Sequence, residues 1–173
     1  MFGNTTFTMT YEGKFDARLM ASALLAAFLA TGCASLHGLN PQTAAAREQA
    51  QIEQRLREVF AAAENKDFNQ LDSYHLYGPK FTKFSGSSSE RLDATAGRKG
   101  EHDGLGAAKG LKMRAEALKI DVFGNVGIAT FILNYSFDSG GEAIHRNDRS
   151  PLVFVKEGGA WKIAHEHLSP INP

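Results

Sequence analysis

The stretch FVKEGGAWKIAHEHLS, residues 154–169, contains two strand-like runs on either side of a glycine pair. Apolar and aromatic residues dominate both runs, and Gly158-Gly159 supplies the backbone freedom that a tight turn requires. The stretch therefore predicts a β-hairpin near the end of the chain. Similar strand candidates precede this hairpin, so it indicates that the second half of the chain forms a sheet.

Short turns separate four strand candidates in the second half of the chain. They are residues 111–123, 126–137, 144–156 and 160–169. Consecutive runs joined by short Gly-rich turns predict an antiparallel meander. In the second run, Val126 and Ile128 alternate with Ala129, Phe131 and Leu133, so both faces are apolar. A sheet that is apolar on both faces needs two covers, and we expect a second copy of the chain to provide the outer one.

The first half of the chain predicts helices. Asn40-Pro41 is a helix-start signal, and apolar residues at three- and four-residue spacing predict a helix that ends near Lys66. A short second helix begins after Asp67, and a short strand follows in KFTKF, residues 80–84. Within the glycine-rich residues 85–110 we expect a helix over 89–101 and loop elsewhere. Helices first and strands later indicate the α+β class.

The composition argues against a protein that binds nucleic acid. The 173 residues suggest one domain, and 19 basic residues balance 19 acidic residues. This neutral chain has no basic stripe, so nucleic acid is not an expected partner. Twelve phenylalanines indicate a core rich in aromatic side chains.

The N-terminal region has the features of an export signal. Residues 19–30, LMASALLAAFLA, are uncharged and too short to span a bilayer, and TGCAS follows them. The segment around Cys33 resembles the lipobox of bacterial lipoproteins, which implies a signal peptide over 1–32, lipidation of Cys33 and a tether over 33–40. The folded domain would cover 41–173. Ala34 after the cysteine implies a lipid anchor in the outer membrane, facing the periplasm, and thus a cell-envelope location.

Three segments together resemble the nuclear-transport-factor-2-like superfamily, and its SnoaL-like domains in particular. They are ENKDFNQLDSYH (64–75), IDVFGNVGIATF (120–131) and FVKEGGAWKIAHEHLS (154–169). The resemblance spans about residues 42–170. It implies a cystatin-like α+β fold, in which a curved antiparallel sheet wraps around the long N-terminal helix as a cone with a pocket at its open end. It implies no single activity, since this fold hosts enzymes, binding modules and dimerisation domains.

Two histidines near the C terminus are the candidate catalytic groups. Strand alternation predicts that His165 and His167 share a face with Trp161, and that Glu166 lies on the opposite face. A neutral imidazole in a pocket transfers protons near neutral pH. A zinc site that combines them with His145 or Asp148 is the weaker alternative, since the third ligand is unplaced. We expect no metal and no cofactor.

An aromatic-lined pocket with a few polar anchors is the candidate ligand site. Its predicted lining consists of Tyr74, Tyr77, Phe81, Phe84, Asn134 and Trp161. We therefore expect an envelope-anchored, homodimeric domain that binds a small apolar molecule. One alternative is an isomerase or cyclase that uses a pocket histidine as acid or base. The other is an assembly module with a vestigial pocket.

Overall fold

The computed structural model of the chain describes residues 41–86 and 88–171, without the side chain of Pro41. The predicted signal peptide, the lipidation site at Cys33 and the tether lie outside the described residues and stay predictions. In the part that is described, no helix is both long and apolar enough to cross a membrane.

The two predicted N-terminal helices are present. Helix α1 spans Pro41–Asn65 and buries Ile52 and Leu56 in the core. Helix α2 spans Phe68–Ser73, and the Asp67 carboxylate accepts a hydrogen bond from the Gln70 backbone N–H at 3.0 Å. Asp67 therefore caps this helix as its position in the sequence predicted.

Five strands form one curved sheet. Its spatial order is β1-β5-β4-β3-β2, with bounds Thr82–Ser85 (β1), Lys109–Phe123 (β2), Val126–Ser139 (β3), Glu142–Glu157 (β4) and Ala160–Pro170 (β5). Strands β2 to β5 pair as the predicted antiparallel meander. The edge strand β1 pairs parallel to β5, so the sheet is mixed, not purely antiparallel. This parallel pair is possible because the whole meander intervenes in sequence and supplies the long connection that parallel strands need.

The helix of the glycine-rich region lies later in the chain than we predicted. Helix α3 spans Ala94–Ala107, whereas the sequence predicted a helix over 89–101 followed by loop. Asp93 caps it by accepting from the Ala96 backbone N–H at 2.9 Å. Glycines disfavour a helix by about 1 kcal/mol each, so propensity alone underestimates α3. Contacts with the rest of the domain compensate, for example from Lys66 Nζ to the Gly106 carbonyl at 2.7 Å.

The sheet has an apolar inner face and a partly apolar outer face, as the alternation in β3 predicted. The inner face packs against α1, and Gly127 allows the closest approach, since a Cβ there would lie 2.2 Å from Ile52 Cδ1. On the outer face, Phe123 is 65% exposed, and Val126 and Ile128 are each 37% exposed. Within the described chain, these three side chains therefore stay partly open to solvent.

Candidate functional site

A cavity of about 510 Å³ lies on the inner side of the sheet, between α1, α3 and strands β2 to β5. Apolar side chains form most of its wall, among them Phe60, Leu111, Met113, Phe131, Leu133, Phe137 and Leu168. Helix α3 borders the cavity with Gly97, Gly100 and Gly104, which share one helix face. Because glycine carries no side chain, this face of α3 leaves the space open.

A β-bulge in β5 decides which side chains reach this cavity. Phe154 pairs with Ile163, but the preceding residue of β4, Val153, pairs with His165. Ala164 is therefore one extra residue in β5, and strand alternation inverts after it. Trp161 and Ile163 face the core before the bulge, and Glu166 faces the core after it.

His165 and His167 consequently lie on the outer face, away from the cavity. His165 Nδ1 lies 2.8 Å from Thr82 Oγ1. The Phe84 ring lies 6.3 Å from the His165 ring and 5.8 Å from the His167 ring, between centroids. The prediction that both imidazoles share a hollow with Trp161 is wrong, because it assumed a regular strand. The prediction that Glu166 faces away from both histidines is correct.

The predicted ligand-binding residues do not line the cavity either. Phe84 is on the outer face with the histidines, and Asn134 is on the outer face of β3, where its Nδ2 donates to the Ile132 carbonyl at 3.4 Å. Asn134 occupies that face because strand alternation separates it from Leu133 and Tyr135.

The other four predicted residues belong to the core or its edge. Tyr74 and Phe81 are buried, and the Arg55 guanidinium lies 4.3 Å from the Tyr74 ring centroid. Trp161 is buried and donates from Nε1 to Glu48 Oε2 at 2.9 Å. Tyr77 stacks on the imidazole of His75 at 4.8 Å between centroids. The aromatics that do border the cavity come mainly from α1 and β3.

Four charged side chains meet at one wall of the cavity, and we call them the ionic cluster: His75, Lys83 and Glu166, which are buried, and Glu101, which is partly buried. Lys83 Nζ lies 2.5 Å from Glu101 Oε1 and 2.5 Å from Glu166 Oε2. His75 Nε2 lies 2.6 Å from Glu166 Oε1. The Tyr77 hydroxyl donates to Glu101 Oε2 at 2.6 Å. The cluster joins α3 through Glu101 to β1 and β5.

The geometry fixes the protonation of His75. Its Nδ1 lies 2.9 Å from the Leu71 carbonyl, which only accepts, so Nδ1 carries a proton. Burial alone would lower the pKa of His75, but the hydrogen bond and the charge of Glu166, with the charge of Glu101, raise that pKa to about 9. The imidazole is therefore a cation at neutral pH, and both nitrogens donate within the protein.

The two carboxylates of the cluster differ in pKa. Burial acts to raise the pKa of Glu166, but the Lys83 charge and the His75 hydrogen bond outweigh it and lower the pKa well below its usual value. Burial and the neighbouring Glu166 charge raise the pKa of Glu101. With two cations and two carboxylates, the ionic cluster neutralises itself.

The cluster resembles a metal site in composition but already contains a cation. Ligand atoms of His75, Glu101 and Glu166 lie within 4.8 Å of one another. The Lys83 ammonium bridges the two carboxylates, so a metal ion would have to displace it. The zinc alternative that joined His165 and His167 to His145 or Asp148 is not supported. Asp148 lines the inner cavity while the two histidines face outward, and among the described residues the ligand atoms of His145 do not meet theirs.

A second polar group lines the cavity on β3 and β4. The Tyr135 hydroxyl donates to Asp148 Oδ2 at 3.3 Å. Asp148 is 6% exposed, and burial raises its pKa, while the Tyr135 hydrogen bond and the charge of Arg146 act to lower it. Asp148 lies four residues before Leu152, the partner of Glu166 in β4, which is about 13 Å along the strand. The cavity thus has two separate polar regions on an apolar wall.

Sequence reasoning missed the ionic cluster. Its members come from the segment after α2, from β1, from α3 and from β5, and they meet only in the folded chain. One signal was present, since Glu166 stands between the apolar residues Ala164 and Leu168 on the face opposite the predicted histidine face. A charged residue there is buried only with partners, but the sequence does not identify them.

The comparisons with known proteins agree with this fold. Residues 52–173 match the SnoaL-like domain family. A proposed dehydratase of the nuclear-transport-factor-2-like family from Streptomyces avermitilis superposes with a TM-score of 0.65 at 16% identity, over 72% of this chain and 96% of that one. A Mycobacterium tuberculosis protein of unknown function gives a TM-score of 0.68 at 12% identity, over 79% of each chain.

A proposed scytalone dehydratase from Novosphingobium aromaticivorans is also similar, with a TM-score of 0.64 at 14% identity, over 72% of this chain and 85% of that one. No curated protein matches the chain. At these identities the solved structures support the fold and not a shared activity. The matched family covers most of the chain, however, and the chain belongs to the SnoaL-like domain family.

Proposed function

We propose that the domain binds a small, largely apolar molecule in the cavity. The observation that supports this proposal is the cavity itself, which has a volume of about 510 Å³, an apolar wall and two polar regions. Sites for small molecules typically have this size and this combination of apolar surface with a few polar groups.

The glycines of α3 support a binding role. A Cβ at Gly100 or at Gly104 would have no other atom within 4 Å, so larger residues would fit at either position. Alanine there would stabilise the helix by about 1 kcal/mol. The glycines thus reduce helix stability and keep the space beside the sheet open.

The test uses N-phenyl-1-naphthylamine, an uncharged apolar fluorophore, with the full chain and its Gly100→Phe variant. We expect saturable binding at one site per chain, and loss of binding in Gly100→Phe, whose ring enters the cavity. Gly100→Ala is the matched control and should bind as the original chain does. Equal binding by Gly100→Phe, with an unchanged melting temperature, would show that the dye binds elsewhere.

Acid–base catalysis is the second candidate, and membership of the SnoaL-like domain family is compatible with it, because this fold hosts enzymes as well as binding modules. The histidines that we predicted for it lie on the outer face, and both nitrogens of His75 donate within the protein. Both carboxylates of the ionic cluster are engaged by Lys83 Nζ, so a catalytic version of the proposal would rely on another carboxyl group of the cavity lining.

The proposal includes an envelope location with a lipid anchor at Cys33, which rests on the resemblance of residues 19–34 to a lipoprotein signal. Cells that express the chain and receive an alkyne-labelled palmitate should label it, and Cys33→Ser should abolish the label. A labelled Cys33→Ser variant, or an unlabelled original chain, would disprove the anchor.

The proposal also includes a homodimer formed through the outer face. Its support is the set of exposed apolar side chains of Phe123, Val126 and Ile128, which lie together on the outer face of the sheet and stay partly open to solvent in the described chain. Sedimentation of the original chain at micromolar concentration should give twice the monomer mass, and Ile128→Asp should give the monomer mass. A monomeric original chain would contradict the dimer.

A further inference from the structure

Charge is unevenly distributed around the cavity. Its lining includes two cationic side chains, His75 and Lys83, and four carboxylates. The ionic cluster uses both cations for Glu101 and Glu166. The other two lining carboxylates, Asp138 and Asp148, have no cation among the residues that line the cavity.

Asp148 is the more confined of these two carboxylates. Its exposed fraction is 6%, whereas Asp138 is on the exposed end of β3. In residues 41–86 and 88–171, the carboxylate of Asp148 accepts one hydrogen bond, from the Tyr135 hydroxyl to Oδ2 at 3.3 Å. Arg146 is the nearby cation on β4, but it is exposed, and its Nη1 donates to the His145 carbonyl at 3.0 Å. Oδ1 of Asp148 therefore has capacity for a further donor.

A buried carboxylate with one long hydrogen bond is poorly compensated for its lost hydration. When Tyr135 donates to Asp148, the hydroxyl oxygen keeps a free lone pair. The pair then presents two acceptors, Asp148 Oδ1 and Tyr135 Oη, and no donor. A protonated amine supplies both several N–H donors and the missing positive charge.

We propose that the Asp148–Tyr135 pair is the anchor for the ammonium group of a cationic amphiphile, whose apolar body fills the cavity. The inference rests on the proposed binding function and specifies its ligand class. The apolar wall excludes water from the ion pair and so strengthens it. The neutral ionic cluster leaves this attraction intact, because its own charges compensate one another.

The test compares three ligands with the same apolar cage: 1-aminoadamantane, 1-adamantanol and 1-adamantanecarboxylate. Their affinities for the full chain are measured by isothermal titration calorimetry at neutral pH. We expect the amine to bind about tenfold or more tightly than the alcohol, and the carboxylate to bind most weakly. Tyr135→Phe should weaken the amine by a few fold.

The decisive variant is Asp148→Asn, which keeps the shape and removes the charge. It should reduce the affinity of the amine to about that of the alcohol and leave the alcohol unchanged. Asp121→Asn is the charge-matched control, since Asp121 is bound to Lys119 outside the cavity lining, and it should not change the preference. Melting temperatures check that each variant folds.

The outcomes separate the two proposals. Equal affinities for amine and alcohol, or a preference that survives Asp148→Asn, would overturn the anchor while saturable binding still supports the cavity. Failure of all three cages to bind, when N-phenyl-1-naphthylamine binds and is lost in Gly100→Phe, would overturn the anchor alone. Failure of every probe would overturn both proposals.

Discussion

The Lys83→Met substitution removes the ammonium group that bridges two buried carboxylates and keeps an apolar stem of similar length. Lys83 is 5% exposed, and its Nζ lies 2.5 Å from both Glu101 and Glu166. Breaking a buried ion pair by removing one partner costs about 3–5 kcal/mol, because the other charge stays buried without compensation. His75 still neutralises part of the remaining charge, so we expect about 3 kcal/mol at neutral pH.

The free energy of unfolding that is lost in Lys83→Met should depend on pH. Without the ammonium, the pKa of Glu101 rises further than burial and Glu166 already raise it in the original chain. Lowering the pH then adds a proton to the uncompensated carboxyl group and removes the penalty. The difference in free energy of unfolding between the original chain and Lys83→Met should therefore be smaller at acidic pH than at neutral pH.

Urea unfolding followed by tryptophan fluorescence measures this difference. Lys112→Met is the control, since Lys112 makes a 3.1 Å ion pair with Glu64 but its side chain is 75% exposed. Surface pairs contribute about 0–1 kcal/mol, so the control should change little. Adding Glu101→Gln to Lys83→Met should recover stability, because it removes the uncompensated charge. A loss for Lys83→Met no larger than that for Lys112→Met would refute a buried, charged cluster.

Three further expectations follow from the geometry of the core. Gly127→Ala should lower the free energy of unfolding by about 1–3 kcal/mol, since its Cβ would lie 2.2 Å from Ile52 Cδ1. An unchanged free energy in urea unfolding would mean that α1 packs less closely on the sheet. The raised pKa of His75, about 9, adds stability that is complete below the unfolded value of about 6.5 and lost as the pH rises through the folded value. Urea midpoints should thus fall across that window, and His75→Gln should flatten the fall. Deleting Ala164, the extra residue of the bulge, should leave a folded domain whose urea midpoints depend on pH as in the original chain. Deleting Val153 on the opposite strand should unfold the domain. Unfolding by the Ala164 deletion but not by the Val153 deletion would argue against the bulge.

The sequence predicted the regular elements well because local patterns specify them. Helix α1 follows the apolar spacing of Ile52 and Leu56, and α2 follows its Asp67 cap. The meander follows strand alternation and glycine turns. Local patterns could not predict the parallel pairing of β1 with β5, because this pairing joins residues more than eighty positions apart.

The candidate site was predicted less well, and Ala164 is the main reason. Strand alternation over residues 161–168 is a sound rule for a regular strand, but one extra residue inverts it. Nothing in the local sequence marks the bulge, since alanine is compatible with a regular strand as well. The prediction for a regular strand therefore places His165 and His167 in the cavity and Glu166 on the opposite face, whereas the bulge reverses these positions.

The position of Glu101 explains why so many charges lie beside an apolar cavity. Glycine-rich α3 has little apolar surface with which to pack on the sheet, and Glu101 is its contact with the buried charges of Lys83 and, through Glu166, of His75. A buried ion pair adds little net stability but is costly to break, so it fixes geometry. The ionic cluster thus holds α3 in place while its glycine face keeps the cavity open. Positioning and recognition are then divided between the cluster, whose charges neutralise one another, and Asp148, whose carboxylate has no cation among the residues that line the cavity.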